Sequence, residues 1–224
     1  MKKLVIAIAA AALFSTAHAE AEKKAYFEFG VGKSSVDVST KTYSGTALGV
    51  TYTNAKADLD FEDPTTYGFE IGTANFLGTP LRVGFGVATL DLKFERASGS
   101  GTIATGAGTV TLSGSATAAD FRGIGVSFDN DVKIYMVNAY YDIKTDGAIK
   151  PYIGVGFGLT DIENAKDQET TLALHAGLNY DLKNNMYVGG KFSHYKVSGM
   201  TDKLGVQYDD TSVNYMGVVL GVRF

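Results

Sequence analysis

The stretch KPYIGVGFGLT, residues 150–160, decides between the folds that are open to this chain. One face of it carries Pro151, Ile153, Val155, Phe157 and Leu159, and the other face carries Tyr152, Gly154, Gly156, Gly158 and Thr160. A period of two indicates a β-strand with two chemically different faces. Strand positions that face water normally carry polar side chains, so a row of three glycines fits poorly there. The interior of a narrow eight-stranded barrel has room for such a row. The stretch therefore predicts a barrel strand whose large apolar side chains face outward, toward lipid.

The following strand-like stretch, residues 169–181, has the same two faces. Its apolar face carries Leu172, Leu174, Ala176, Leu178 and Tyr180, and its other face carries Ala173, His175, Gly177, Asn179 and Asp181. The alternative is a soluble barrel of the lipocalin type, which keeps its apolar residues inside and shows charged residues to water. The two neighbouring stretches favour the membrane barrel, because lipid-facing and lumen-facing residues alternate along its strands.

Period-two patterning bounded by turn residues recurs along the whole chain. The predicted strands cover residues 25–38, 66–77, 80–95, 131–143, 149–160, 169–181, 186–198 and 211–224. Each has at least the roughly 9–11 residues that a tilted strand needs to cross a bilayer. The predicted fold class is therefore all-β, an eight-stranded antiparallel transmembrane β-barrel of the outer-membrane type. Around Val87–Leu90 the apolar phase switches from odd to even positions, which indicates either a bulge or an extension beyond the membrane.

The predicted connections alternate between short and long. The short ones are the tight turns at 78–80, 144–148 and 183–185, and the long ones are 39–65, 96–130, 161–168 and 199–210. Outer-membrane barrels have short periplasmic turns and longer external loops. We therefore expect both termini and the turns on the periplasmic side. Residues 96–120 are rich in Gly, Ser, Thr and Ala, which is typical of a flexible, linker-like segment. Within them, TVTLS (109–113) is expected to form a short hairpin arm.

The N-terminus has the pattern of a secretory signal peptide. A short basic start precedes an apolar run, and Ala17 and Ala19 fit the small-x-small cleavage pattern. The alternative is an uncleaved anchor, but the run is only about half of what a spanning helix needs. We expect residues 1–19 to be the signal peptide and residues 20–224 to form one barrel domain.

Composition argues against a nucleic-acid partner and against disulfide bonds. Loss of the two lysines of the signal peptide, with no acidic residue removed, changes the formal charge from −4 to −6, so nucleic acid is not an expected partner. The chain contains no cysteine, so no disulfide contributes to its stability. The stability must come from packing and strand pairing.

The last predicted strand, NYMGVVLGVRF (214–224), places one apolar row on a single face. That row consists of Met216, Val218, Leu220, Val222 and Phe224. We interpret this strand as the one that closes the barrel against the first strand, which leaves no unpaired edge in lipid. The same row is a candidate assembly signal.

Six charged residues share the inward parity of the predicted strands. They are Glu28, Glu70, Arg82, Asp142, Lys191 and Arg223. Buried charges must pair, because their desolvation costs several kcal/mol per ion. Three acids and three bases allow this, and Glu28 and Arg223 are the expected neighbours across the closure. The favoured interpretation is a structural polar plug, and the alternative is a gated ion path.

Aromatic residues are expected in two interface girdles. The turn-side girdle is predicted to contain Tyr26, Phe27, Phe76, Tyr141, Tyr180 and Tyr187, and the loop-side girdle Tyr67, Phe94, Tyr135 and Phe192.

No catalytic, metal or cofactor site is predicted. After signal cleavage only His175 and His194 remain. His194 has the lipid-facing parity, Ser193 points to the opposite face, and Ser198 lies roughly 13 Å along the strand. A nucleophile and its base need about 3 Å, so we expect no enzyme activity. The acidic segments 58–63 and 129–133 lack the ligand spacing of a calcium loop.

The chain resembles the opacity-type, OmpA-like family of bacterial outer-membrane surface proteins. The resemblance rests on the signal peptide, the eight strands, KPYIGVGFGL at 150–159 and the terminal VLGVRF at 219–224. It implies a bacterial outer-membrane location, with lipid and lipopolysaccharide around the barrel and recognition of the terminal strand by the outer-membrane barrel assembly machinery.

The resemblance also implies a function, namely a structural and interaction role, adhesin-like, through the long external loops. Host surface or matrix molecules are the expected partners of loops 39–65 and 96–130. The alternative is a narrow porin-like channel for small solutes.

Overall fold

The computed structural model describes residues 24–47, 50–105, 108–123, 128–203 and 205–224. The predicted signal peptide, with Ala17 and Ala19, lies outside the described residues. The strands are β1 (Lys24–Ser39), β2 (Tyr43–Ala47), β3 (Val50–Phe61), β4 (Thr65–Ala74), β5 (Leu81–Leu92), β6 (Phe94–Thr105), β7 (Gly108–Thr117), β8 (Asn130–Asp142), β9 (Ile149–Ile162), β10 (Glu169–Asp181), β11 (Met186–Val197) and β12 (Thr211–Arg223). A 3-10 turn spans Phe76–Gly78 and a short helix, α1, spans Ala118–Gly123. Neither helical segment of this described part is long and apolar enough to cross a membrane.

Eight of these strands close into an antiparallel barrel. The order is β12-β11-β10-β9-β8-β5-β4-β1, and β1 pairs again with β12. The closing register runs without interruption from Tyr26 opposite Arg223 to Asp37 opposite Ser212. The predicted barrel is confirmed, and its strands match the predicted ones to within a few residues. The largest differences are at β4, which ends at Ala74 rather than at residue 77, and at β5, which ends at Leu92 rather than at residue 95.

The outer wall of the barrel is apolar. Val155 is 57% exposed and Leu174 is 61% exposed, whereas the inward residues Tyr152 and His175 are 2% and 4% exposed. A soluble barrel has the opposite arrangement, so that alternative is wrong. An apolar belt around a polar interior is the arrangement of a barrel that spans a lipid bilayer.

Inward-facing glycines make room for large side chains from the neighbouring strands. A Cβ atom on Gly154 would collide with the ring of Tyr140, and one on Gly221 would collide with the ring of Tyr187. Each glycine of this kind lets an aromatic ring lie flat against the barrel wall. The inward-facing glycines therefore provide the space that the buried tyrosine rings of neighbouring strands occupy.

The predicted long links 39–65 and 96–130 are largely strands. They contain β2, β3, β6 and β7, which form a second sheet that we call the outer sheet. β3 continues the barrel wall, because Val38 at the end of β1 pairs with Leu59. The prediction of a flexible segment at 96–120 is wrong: β6 and β7 form a hairpin with an unbroken register. The predicted hairpin arm around TVTLS is confirmed, but it is longer than expected.

The phase switch near Val87–Leu90 is not a bulge. β5 pairs with β8 in an unbroken register from Leu81 to Leu92, so the backbone continues regularly. Instead, Leu90 and Leu92 are buried on the inward face, at 2% and 7% exposure. The outer end of the lumen is lined by apolar side chains. The apolar residues of β5 therefore switch from the lipid-facing to the lumen-facing positions at this end of the strand.

Candidate functional site

Five of the six predicted inward charges form one connected cluster, the polar plug. Glu28 lies at its centre and is 4% exposed. Its carboxylate accepts hydrogen bonds from Lys191 Nζ at 3.1 Å and from the hydroxyl of Tyr187 at 2.9 Å. Arg82 Nη1 lies 3.8 Å from the same carboxylate. These partners come from β5 and β11, on two sides of β1, so the contacts cross the lumen.

The second carboxylate of the plug, Glu70, is also fully enclosed. It accepts hydrogen bonds from Asn138 Nδ2 at 2.6 Å, from the hydroxyl of Tyr140 at 2.7 Å and from the hydroxyl of Tyr26. Lys191 Nζ lies 3.8 Å away and links Glu70 to Glu28. Buried carboxylates are tolerated when they are hydrogen-bonded and paired in this way.

Arg82 blocks the lumen on the turn side of the plug. Its Nε donates a hydrogen bond of 2.9 Å to Asp142, and its side chain is 1% exposed. The guanidinium lies 5.4 Å from the ring centroid of Tyr26 and 4.8 Å from those of Tyr140 and Tyr152. Its Nη2 has no hydrogen-bond partner among the described residues. The aromatic faces around the cation supply attraction in place of that bond.

Arg223 does not join Glu28, so the predicted pair is wrong. In the register of the closure Arg223 lies opposite Tyr26, and Glu28 lies opposite Gly221. Arg223 instead donates a hydrogen bond of 2.7 Å to Asp181 and lies 4.5 Å from the ring centroid of Tyr187. The offset of two residues along β12 places the guanidinium at the mouth of the barrel, beyond the reach of Glu28.

The structure also brings together Ser193, His175 and Asn138, which the sequence did not indicate. Ser193 Oγ lies 2.8 Å from His175 Nδ1, and Asn138 Oδ1 lies 3.2 Å from His175 Nε2. Because Asn138 donates its amide to Glu70, its oxygen faces the imidazole, which therefore carries its proton on Nε2. Ser193 is 0% exposed, so a substrate cannot reach its hydroxyl, and a structural role is favoured over a nucleophilic one. His175 and Ser193 lie directly opposite each other in the register of β10 and β11. The tight turn predicted at 183–185 is the sequence signal from which this pairing could have been found.

Above the plug lies an apolar compartment, the outer chamber. Its walls come from the outer ends of the barrel strands, and its roof comes from the outer sheet and the 198–210 link. The lining includes Val36, Leu90, Ile134, Val213, Met200 and Tyr208. Burial, with a contribution from nearby Asp202, raises the pKa of Tyr208 to about 12, so its phenol stays protonated and donates to that carboxylate. The lumen is thus closed twice, by charges below and by apolar residues above.

Three of the predicted girdle aromatics lie elsewhere. Tyr26 and Tyr187 are 1% and 0% exposed within the lumen, and Phe94 is 3% exposed in the cluster beneath the outer sheet. Their parity explains the error, since Tyr26 shares the inward face with Glu28. Other predicted girdle residues, such as Tyr67 and Tyr180, are about half exposed on the outer wall, at 52% and 50%.

The acidic residues of the loops take part in ion pairs. Asp60 accepts two hydrogen bonds from Arg96, at 2.9 and 3.1 Å, and Asp58 lies 3.8 Å from Lys56. Asp129 lies 3.8 Å from Arg122. Across the described ranges of the chain, no group of three or more acidic or histidine side chains is arranged to hold a metal ion.

The outer sheet presents its most exposed strand at one end. β7 pairs with β6 alone within the described chain, and nine of its ten residues are exposed. Val110 and Leu112 are 48% and 51% exposed on one face. The lumen and the outer sheet are therefore the two candidate sites in the described part of the chain.

Comparison with protein families identifies the chain. The family model of the outer membrane protein β-barrel domain matches residues 6–224. The chain belongs to this family. No curated protein matches its sequence. Membership of this family and the apolar belt of the barrel both indicate the same location. This outer-membrane barrel protein lies in the bacterial outer membrane.

Solved structures show the same fold at low sequence identity. Neisserial surface protein A is 12% identical, with 89% of this chain and 97% of that chain aligned and a TM-score of 0.53. Outer membrane protein AlkL is 15% identical, with 93% and 94% aligned and a TM-score of 0.51. OprG from Pseudomonas aeruginosa is 16% identical, with 89% and 96% aligned and a TM-score of 0.45. Identities of this size concern the fold alone.

Proposed function

We propose that this outer-membrane barrel protein is a surface scaffold. Its lumen is blocked, and its outer sheet makes its interactions. The observation that carries the proposal is the conversion of two long links into a paired, four-stranded sheet. A loop that only covers a barrel mouth needs no such structure. Binding residues are commonly held on loops by a rigid scaffold, and here the scaffold continues into the binding element.

The lumen supports the scaffold role. The plug residues Glu28, Glu70 and Arg82 are each at most 4% exposed, and their partners come from strands on different sides of the barrel. Moving any one of them would break at least one buried ion pair. The alternative function, a narrow channel for small solutes, requires such movement, whereas the scaffold role does not.

Host surface or matrix molecules remain the proposed partners of the outer sheet. The similar Neisserial protein is named a surface protein, which agrees with this proposal without identifying a ligand. On the barrel side, we propose that lipid and lipopolysaccharide surround the apolar belt. The exposed row that includes Met216, Val218 and Phe224, at 70%, 57% and 72% exposure, is the proposed recognition strip for the assembly machinery.

Removal of the hairpin tests this proposal. In the variant, residues 98–115 are replaced by a two-residue Asn-Gly turn. This turn connects Ala97 at the start of β6 to Ala116 at the end of β7, which are paired in the unchanged protein. We expect a folded, heat-modifiable barrel, because the barrel strands do not pair with this part of the hairpin. Binding of cells that carry the variant to host cells or to extracellular matrix is expected to fall to the level of cells without the protein.

The matched control replaces the exposed residues Lys166 and Asp167 with serine, in the link between β9 and β10, which is also external and lies outside the outer sheet. This control should bind like the unchanged protein. Equal binding by all three forms would contradict an interaction role for the outer sheet, and binding by none of them would leave the envelope role alone.

A further inference from the structure

The free edge of β7 is the least protected part of the molecule. β7 is the last strand of its sheet, and between Thr109 and Ala116 no described residue pairs with its second edge. An edge strand presents a row of backbone N–H and C=O groups that can pair with another chain. In most proteins a bulge, a proline or an inward-pointing charge prevents such pairing.

None of these protections is present on this hairpin. Residues 98–117 contain no charged residue and no proline. The β6–β7 register is unbroken from Arg96 opposite Thr117 to Thr105 opposite Gly108, so it contains no bulge. The charged residues of the outer sheet lie further in, for example Lys56 and Asp60 on β3. The edge is therefore long, straight and uncharged.

The two faces of β7 are chemically distinct. Val110, Leu112, Gly114 and Ala116 lie on one face, and Thr109, Thr111, Ser113, Ser115 and Thr117 lie on the other. The apolar face continues inward, because Val110 pairs with Ile103, which in turn pairs with Tyr52. Leu112 also borders a shallow groove floored by Gly99, Gly101 and Gly114. A strand added to this edge would extend both faces.

We propose that the occupant of this edge is β7 of a second copy of the chain. Two antiparallel copies are related by a twofold axis perpendicular to the sheet, which keeps the apolar faces on the same side. Because the hairpin leads away from the barrel, this axis places the two barrels at opposite ends of the joined sheet. The pair therefore forms in detergent solution or between two facing membranes. With Leu112 opposite Leu112 of the second copy, Val110 meets Gly114 and Thr111 meets Ser113. Every opposed pair then matches apolar with apolar or hydroxyl with hydroxyl, and such pairs stabilise sheets.

Charge also favours this edge over the charged surfaces of the chain for contact with a second copy. The whole chain is acidic, with a formal charge of −4, so most of its surface opposes self-association. Residues 98–117 are one of its uncharged external segments, and they carry the exposed edge. This inference deepens the proposed function, since it rests on the outer sheet being the interaction surface and names one partner for it.

Cross-linking tests the geometry directly, because the chain has no cysteine of its own. Leu112→Cys places one thiol at the proposed axis, where opposed Cβ atoms lie about 4.5–5.5 Å apart. Ser100→Cys is the control, since Ser100 is exposed on β6, one strand further from the edge. In detergent solution with a mild oxidant, we expect a disulfide-linked dimer for the first variant and monomer for the second.

Self-association of cysteine-free protein supplies the second readout. Leu112→Lys places two like charges at the axis and removes apolar contact, so the dimer dissociation constant should rise by about tenfold or more. Ser100→Lys adds the same charge to the hairpin away from the edge and should leave the constant unchanged. The readout is the molar mass of the protein–detergent complex, corrected for detergent, against concentration.

A dimer that survives Leu112→Lys, or cross-linking that is equal at positions 100 and 112, would overturn the proposal. So would a cysteine-free protein that remains monomeric while Leu112→Cys cross-links to a different protein on cells, because the edge would then belong to that partner. The host-binding experiment with the shortened hairpin is separate. If the protein is monomeric but still binds host cells through the hairpin, the self-pairing proposal is wrong and the proposed function stands.

Discussion

Arg82 shows at the scale of one residue how the lumen is closed. Its guanidinium is enclosed by three tyrosine rings, bonded to Asp142 and near Glu28. Burial of a cation costs free energy that only close partners offset, and each of these partners lies on a different strand from Arg82. The side chain therefore holds the register of several strands at once, as well as filling space.

Replacing this arginine gives a first prediction. Arg82→Met should lower the free energy of unfolding by about 3–5 kcal/mol, because it removes the cation bonded to Asp142 and one of the two cations near Glu28. Urea-induced unfolding in detergent or lipid, followed by gel mobility, measures the change. Arg96→Met is the matched control: the Arg96–Asp60 pair has similar geometry but is about half exposed, at 56% and 45%. Its loss should cost at most about 1 kcal/mol. Equal losses for both variants would refute the central role of Arg82.

Which side chains enter the lumen was predictable, but their partners were not. The alternation of β1 and β5 assigned Glu28 and Arg82 to the inner face, because a strand turns every second side chain the same way. Partner choice depends on the stagger of strands across the lumen, which no single strand encodes. For this reason the pairing of Arg223 with Asp181 was missed. The bond between His175 and Ser193 is different, because these residues lie directly opposite each other in the β10–β11 hairpin, whose tight turn was predicted.

At the scale of elements, glycines and tyrosines fit together across neighbouring strands. A Cβ on Gly154 would meet the ring of Tyr140 and would lie 2.9 Å from the carbonyl oxygen of Ala139. Gly190 on β11 faces outward, and a Cβ there would meet nothing within 4 Å. The two positions therefore differ in packing while both lie in the middle of barrel strands.

This difference gives a second prediction. Gly154→Ala should destabilise the barrel by about 1–3 kcal/mol, because overpacking forces the Tyr140 ring or the strand to move. Gly190→Ala should be neutral or stabilising by up to about 1 kcal/mol, since alanine restricts the unfolded chain. The fraction that keeps folded mobility on a gel, measured against temperature, compares the two. The opposite ranking would show that the inward glycines do not serve to seat tyrosines.

The barrel strands were predictable from the sequence, and the outer-sheet strands were not. In β9 and β10 the contrast between lipid and lumen produces a strong alternation. In β6 and β7 both faces contact water or other small residues, so Gly, Ser, Thr and Ala give a composition that also suits a linker. β6 is a strand because it pairs with β3, whose partner residues lie 33 to 53 positions earlier in the chain, and β7 is a strand because it pairs with β6.

At the scale of the whole molecule, two different closures lie in series along the lumen. The polar plug occupies the centre, and the outer chamber with its apolar roof lies beyond it. An ion on its way through must displace charges that are already paired and then cross an apolar region. Each step carries a desolvation cost.

The third prediction follows from this arrangement. Reconstituted into planar bilayers, the protein should show little or no stable conductance. The variant with the shortened hairpin should behave the same way, because the plug lies within the barrel and does not depend on the hairpin. Large, regular conductance steps in both forms would contradict the plug and favour the channel function. Steps in the shortened form alone would assign the closure to the outer sheet.

The orientation of the whole molecule links the fold to the proposed surface role, and one labelling experiment tests it most directly. Ser113→Cys places the chain's single thiol on the outer sheet, and Asp146→Cys places it in the exposed short turn between β8 and β9. Both variants are treated on intact cells with a membrane-impermeant maleimide. We predict labelling at position 113 on intact cells and labelling at position 146 only after the outer membrane is opened. Labelling at position 146 on intact cells, with position 113 protected until the membrane is opened, would contradict a barrel that displays its outer sheet to the exterior.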